Sequence, residues 1–324
     1  MKDSALRGIL SVCLVGLVMS GAGQSLAAEY PERPIRYVVA FAPGAFNDIL
    51  ARIVAQRMSS GLGRQVIVDN RAGAGGNLGA ELVAKASPDG YTLLSISSAH
   101  TISQTLYSKL DYSLERDLAP VVLFASSPLL MTVSLGLPVK TVPELVKWAK
   151  ANRMVYASGG VGVISHLSVE MFKQATGIEA THVPYKGGGP GAIDVVAGHV
   201  HMMANTLPTL LPFVKGGKLR ALGIMSDKRH ALLPEVPTFI EQGHKDFVMG
   251  NWLGIVVPKG TPTTVINLLA AEVTRIVRSP EVRERFEHEG ADSMGGTPRE
   301  FAALIGSEIR RFGAAVKASG AKAE

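Results

Sequence analysis

Apolar and polar positions follow two periods along this chain, and the switch between them repeats. The run 35–41 (IRYVVAF) is β-branched and aromatic and is bounded by Pro34 and Pro43, which predicts a buried strand. Residues 48–58 then place Ile49, Leu50, Ile53 and Val54 at helical spacing. The unit returns with a strand over 65–69, a helix over 78–85 that stops before Pro88-Asp89-Gly90, and a strand over 91–97. Further strands are expected near Val121, Met131, Val155, His182, Val200 and Leu219, and helices over 142–150, 165–176, 191–197 and 208–215. Two amphipathic helices, 263–278 and 298–318, follow and are expected to cap one lobe. Strand followed by helix, many times over, predicts an α/β fold with mainly parallel sheets.

The N-terminus reads differently. Lys2 and Arg7 precede an apolar run over 8–19 and small residues ending Ser25-Leu26-Ala27, the layout of a secretory signal peptide cleaved near Ala27. The run is well short of the ~20 residues a membrane-spanning helix needs. Residues 1–27 are therefore set aside, and the remainder is expected in the periplasm. The one cysteine, Cys13, would leave with the leader, so disulfides, thiol catalysis and cysteine metal ligands are not expected. What remains is close to the ~250–300 residues at which one core tends to split, so two lobes are expected. No low-complexity linker separates them, which makes ordinary strands the crossing points, with Ser126-Ser127 and Ser226-Asp227 as candidates. Lobe one would comprise 28–127 plus 228–324, and lobe two 128–227.

Charge narrows the partners. The chain has 33 basic and 27 acidic residues, a mild excess of +6 that suits anionic ligands, without the clustered Lys and Arg among aromatics that nucleic-acid binding needs. The stretch from Arg275 to Arg285 alternates with glutamates and reads as a solvated helix face.

Two strand-to-helix loops carry candidate chemistry. PGAFND (43–48) would leave the amides of Ala45, Phe46 and Asn47 as unpaired donors of a helix start, or would be a plain turn capped by Asn47 or Asp48. SGGVGVISH (158–166) repeats the arrangement with three glycines, and there Ser165 is the alternative cap and His166 either a structural histidine or a base. Each helix end attracts an anion by ~0.3–1 kcal/mol when exposed and up to ~2 kcal/mol when partly buried, so two ends closing on one ligand would matter. YKGGGPG (185–191) lacks the Walker spacing, and RAGAGGN (71–77) is followed by Leu78 where the dinucleotide fingerprint has its last glycine, which argues against a nucleotide cofactor. His182, His199 and His201 lack metal-ligand spacing. No nucleophile elbow, HExxH helix or Ser-x-x-Lys pair stands out, so neither a catalytic residue nor a metal site is assigned.

Several strings in order give the chain a resemblance: YPERPIRYVVAFAPG (30–44), VIVDNRAGAGGNLGA (66–80), ASPDGYTLL (86–94), HVPYKGGGP (182–190), GKLRALGIMS (217–226) and LPEVPTFIEQG (233–243). Together they resemble the Bug receptors, the solute-binding proteins of tripartite tricarboxylate transporters. The resemblance implies a two-lobed periplasmic binding protein of type II, with two crossover strands, that closes on a small organic carboxylate without catalysis. It carries the family's PGG-x-x-D loop onto Gly44, Ala45, Phe46, Asn47 and Asp48, and its histidine-bearing loop onto Ser97, Ser98 and His100. The hydroxyl-rich loop of the other lobe falls on Ser158, Gly162, Val163, Ile164, Ser165 and His166, and the position usually Asp on Asn205.

Departures from the family pattern suggest the ligand. Phe46, Val161, Val163 and Ile164 stand where smaller or more polar residues are common, and Ala204 where an aromatic is. Either the pocket wall has become more apolar, favouring an aromatic or apolar-bodied acid over a di- or tricarboxylate, or Phe46 fills the space vacated at Ala204. Asn205 in place of Asp removes a charge suited to an ammonium group, which disfavours amino acids. The expected partners are the membrane subunits of a transporter or, for a sensory receptor on the same fold, a sensor kinase; the receptor itself is expected to be a monomer. A secreted α/β hydrolase or isomerase acting on a carboxylate is the rival from another class.

Overall fold

The computed structural model describes residues 30–185, 187–245 and 247–323, so the expected leader lies outside the described residues. The first half-sheet begins with β1 (Ile35–Val39), α1 (Phe46–Leu62), β2 (Val66–Asn70), α2 (Asn77–Ala84), β3 (Thr92–Ser97), α3 (Ser98–Leu106) and the single turn α4 (Leu114–Asp117). β4 (Leu118–Ser134) then runs for 17 residues. It leads into α5 (Val142–Ala151), β5 (Met154–Ser158), α6 (Ile164–Thr176), β6 (Ala180–Pro184), α7 (Gly188–Ala197), β7 (Met202–Thr206), α8 (Leu207–Lys215) and β8 (Leu219–Ile224). The chain returns through β9 (Gly250–Pro258) and ends with α9 (Thr263–Arg278), α10 (Pro280–His288), the short β10 (Asp292–Ser293) and α11 (Pro298–Ser319).

The fold is the α/β two-lobed, type II arrangement that the sequence predicts. β4 joins its halves: residues 118–128 pair with β9, and residues 129–134 pair with β7 and β8. The order is β2-β1-β3-β9-β4 on one side and β4-β7-β5-β6 on the other, with β8 and β10 also on β4. The outer strands β2-β1-β3 and β6-β5-β7 are parallel, whereas the strands flanking the crossing are antiparallel. The two strands expected near Val121 and Met131 are one, because Pro120, Pro128 and the register shifts at 120–125 and 131–132 bend the extended backbone without ending it.

Both faces of each half-sheet are covered. On β1, Ile35, Tyr37 and Val39 pack with α1, α9 and α10, while Val38 and Ala40 join Leu94, Ile96, Trp252, Phe301 and Ile305. In the second half, Leu129, Met131 and Val133 face Leu167, Phe172, Phe239 and Phe247, and Leu130 faces Ala192, Leu207 and Leu233. Such two-sided burial is why these strands read as continuous apolar runs rather than alternating ones.

Two features depart from the sequence expectation. Residues 228–249, assigned there to lobe one, put Leu233, Val236, Phe239, Phe247 and Met249 into the cores of the second half-sheet. β9 starts at Gly250, where it pairs with Pro128 of β4. On β4 the change of partner comes between Pro128, which still pairs with Gly250 of β9, and Leu129, which pairs with Thr206 of β7. α11 is also not confined to one half. Phe301 and Ile305 lie in the first, while Phe312 and Val316 lie in the core of the second with Ile102 and Leu106 of α3.

Candidate functional site

Two strand-to-helix turns share one construction, and a third, capped by Ser97, repeats only the backward reach of a side chain. At the end of β1, Gly44 takes φ +77° and Ala45 occupies the N-cap of α1, so no side chain caps the helix. Asp48, one turn on, reaches back so that its Oδ2 accepts from the Gly44 amide at 2.8 Å. At the end of β5, Gly162 takes φ +73°, Val163 is the uncapped N-cap of α6, and His166 Nδ1 accepts from the Gly162 amide at 3.0 Å. At the end of β3, His100 Nδ1 accepts from the Ser97 amide at 3.1 Å. The glycines are required because the left-handed φ is strained for any residue with a Cβ.

Apolar N-caps leave the first amides of a helix without a local acceptor. Those amides belong to Phe46 and Asn47 in α1 and to Ile164 and Ser165 in α6, all of them predicted site residues. A group bound there would meet donors carrying the positive end of the helix dipole.

The three residues closing these turns differ electrostatically. Burial alone would raise the Asp48 carboxyl, but hydrogen bonds from Arg52, Asn70 and the Gly44 amide hold it below the usual carboxylate range. Both its oxygens are thereby used within the turn, so Asp48 shapes the loop rather than offering a free acceptor. Burial pushes His100 down to about 4, so it is neutral, with Nε2 facing the backbone of Gly76. His166 is also pushed below the usual histidine value by burial.

The remaining predicted residues fall into two groups. Val161 and Val163 are 47% and 37% exposed, on the outer rim of the second loop. Ser97, Ser98, Ser158, Ser165 and Asn205 are buried. Ser165 Oγ accepts from the Gly159 amide, and Asn205 Oδ1 from the Thr206 amide. Ser158 Oγ lies 2.6 Å from His182 Nε2, the spacing of a nucleophile and its base, but it is wholly buried and donates to Gly160 O at 2.8 Å. Phe46 is half-buried and leans on the core of the first half-sheet, whereas Ala204 lies in a core of the second. They belong to different packing units.

Asn251 was not anticipated. Its Oδ1 accepts from Ser98 Oγ at 2.9 Å, and its Nδ2 lies 3.5 Å from Asn47 Oδ1, so it ties the starts of α1 and α3 to β9 beside the crossing. The apolar stretch of β9 that follows Asn251 was the available signal.

Residues 50–321 match the family described as the tripartite tricarboxylate transporter family receptor. The chain belongs to that family. Among receptor relatives, BugT of Bordetella pertussis is 34% identical over 97% of this chain and 98% of its own length. Rpa4515 of Rhodopseudomonas palustris, solved with adipate, superposes with a TM-score of 0.78 at 33% identity, covering 90% of this chain and 98% of that one. MatC of the same organism, solved with bound malate, superposes at 0.75 and 32% identity, covering 89% and 100%. The family is one of periplasmic binding proteins. Among the described residues no helix is long and apolar enough to cross a membrane.

Proposed function

We propose that this receptor captures a small organic carboxylate with an apolar body by closing two lobes upon it, without altering it, for uptake through a tripartite tricarboxylate-type transporter. The observation that carries the reading is the matched pair of uncapped helix starts, Ala45–Phe46–Asn47 on α1 and Val163–Ile164–Ser165 on α6. They offer amides to a carboxylate from both halves of the molecule. The loops 43–48 and 158–166 contain neither Lys nor Arg, so charge would be met by dipoles and amides rather than by an ion pair.

The lobes are best divided where packing divides, at 30–127 plus 250–323 and at 128–249, with β4 and the start of β9 as the crossing segments. Contacts would come from Gly44 to Asn47, Ser98, Asn251 and the segment from Gly162 to Ser165, with Asp48, His100 and His166 holding the turns. The apolar body is argued from Val161, Val163 and the exposed part of Phe46. Burying such surface is worth ~25 cal/mol per Å². Adipate and malate, bound by the two relatives, bracket the choice between a methylene chain and a small polar acid.

Calorimetric titration of the exported chain against adipate, benzoate, nicotinate, malate and citrate tests this. The expected result is one-to-one binding of the apolar-bodied acids, with the ligand recovered unaltered. Tight malate or citrate with the others silent overturns the apolar body, and a chemically changed ligand overturns the receptor.

A further inference from the structure

His166 does not stand alone. Its ring stacks on that of His182 in β6, with centroids 4.0 Å apart and planes 11° from parallel, and Tyr156 of β5 stacks on His182 at 4.9 Å. Each imidazole holds a different point of the second loop: His166 Nδ1 the amide of Gly162, and His182 Nε2 the hydroxyl of Ser158. Ser158 Oγ in turn donates to Gly160 O and accepts from the Gly160 amide, so the loop is gripped at 158, 160 and 162.

We propose that His166 and His182 form a proton-sensitive clamp that keeps the loop 158–164 in its binding shape at neutral pH and releases it in acid, with His182 as a positioning residue. The inference rests on the reading that this loop contacts the ligand, and its asymmetry comes from the matching turn. In the first half the glycine amide is held by a carboxylate, Asp48; in the second it is held by an imidazole. A proton on Nδ1 of His166 replaces the acceptor by a donor that faces the Gly162 N–H. A cation on either ring would also lie stacked against the other.

The surrounding charges fix the sign. Burial lowers His166, with Lys173 of the same helix adding to this and Glu170 opposing it. His182 is pushed to about 4 by burial and by His166, and again Lys173 adds and Glu170 opposes. Glu170 is itself engaged by Lys173 and by the Tyr156 hydroxyl. β7 brings no charged side chain to α6. His100 on α3 is occupied with Ser97, and on α11 Glu308 pairs with Arg311, leaving Arg310 and Lys317. A base whose folded value is lowered contributes stability above its ordinary value of ~6.5 and loses it as pH falls through the lowered one. The clamp therefore holds at pH 7.5 and loosens as pH falls below the ordinary histidine value toward the lowered ones. Being close and coupled, the two rings take up their first proton as a pair.

The test is hydrogen exchange at the Gly162 amide, corrected for intrinsic rate, on the exported chain without ligand, so a failed receptor assignment does not affect it. Wild type should exchange about tenfold faster at pH 5.0 than at 7.5, the effect of losing one hydrogen bond. His166→Asn places an amide oxygen near Nδ1 and should show no such change; His166→Gln is the second variant should that one unfold. His182→Phe keeps a ring in the stack but loses Ser158, and should exchange faster at both pH values. A wild type indifferent to pH, or an Asn variant as acid-sensitive as wild type, overturns the clamp. Wild-type protection in His182→Phe overturns the role of His182.

Discussion

Leu106 and Gly162 meet where the two halves touch: a Cβ on Gly162 would stand 2.4 Å from Leu106 Cδ2. Gly162 also has a left-handed φ of +73°, so the position excludes a side chain on two independent grounds. Gly162→Ala is expected to strain the packing of Leu106 on the loop by about 1–3 kcal/mol and weaken carboxylate binding roughly tenfold or more. Adding Leu106→Ala should recover part of that loss in a calorimetric titration, because only the clash is relieved and the backbone strain stays.

Asp48→Asn tests the first turn. The variant keeps the shape but removes the charge that receives Gly44 and Arg52. Thermal unfolding at pH 7 should report a loss of about 1–3 kcal/mol. Because the wild-type carboxyl is held below its ordinary value, its contribution is present above about pH 4 and vanishes as pH falls further. The two stability curves should therefore converge in acid.

His100 sets a different acid limit. Buried and neutral, it loses stabilising effect as pH falls from the ordinary histidine value of ~6.5 to about 4. His100→Asn, which keeps an acceptor for the Ser97 amide, should flatten the stability profile in that window. Urea unfolding at pH 7.0, 5.5 and 4.5 would check it.

Gly254 on β9 lies under Phe301 of α11, and a Cβ there would stand 2.0 Å from the ring. Gly254→Ala is expected to cost about 1–3 kcal/mol through overpacking. Phe301→Leu in the same chain should return most of it, since the space is then shared differently. Differential scanning calorimetry of both variants distinguishes shared space from backbone strain, which would survive the second change.

Trp252 sits beside the crossing. Its Nε1 donates to Glu308 at 3.2 Å, and it lines a cavity of about 310 Å³ with Ser127, Met249 and Arg311. If the halves move on binding, this cavity changes shape, so ligand should alter the fluorescence of wild type and of Trp148→Phe. Trp252→Phe should be silent while binding persists by calorimetry.

Period and turn chemistry made most of the fold legible. The strand at 35–41 and the helix at 263–278 were readable because their burial follows the periods on which sequence reasoning rests. β9 was not, although Leu253 to Val257 is as apolar as β1 and is followed by a helix, because it enters after the irregular stretch 226–249 rather than from a preceding helix. The loops 43–48 and 158–166 were legible as helix starts. What was not legible is who closes them: Asp48 and His166 act on backbone amides four residues earlier, and side-chain direction carries no sequence signature. Asn251 and His182 escaped for a related reason, since each meets the site only through tertiary contact.

The span of α11 has a consequence for loading. Phe312, Val316 and Ala321 are seated in the core of the second half, and the Ala323 amide donates to Leu106 O, while Phe301 and Ile305 belong to the first. Under the proposed closure, parting the halves would unseat one end of this strap, which would then resist opening like a return spring. The tension of that spring would be set through Ala321 and Ala323, whose anchor Leu106 adjoins Gly162. A tag fused after Glu324 should therefore retune apparent affinity and exchange rate together, with every residue of the cleft unchanged.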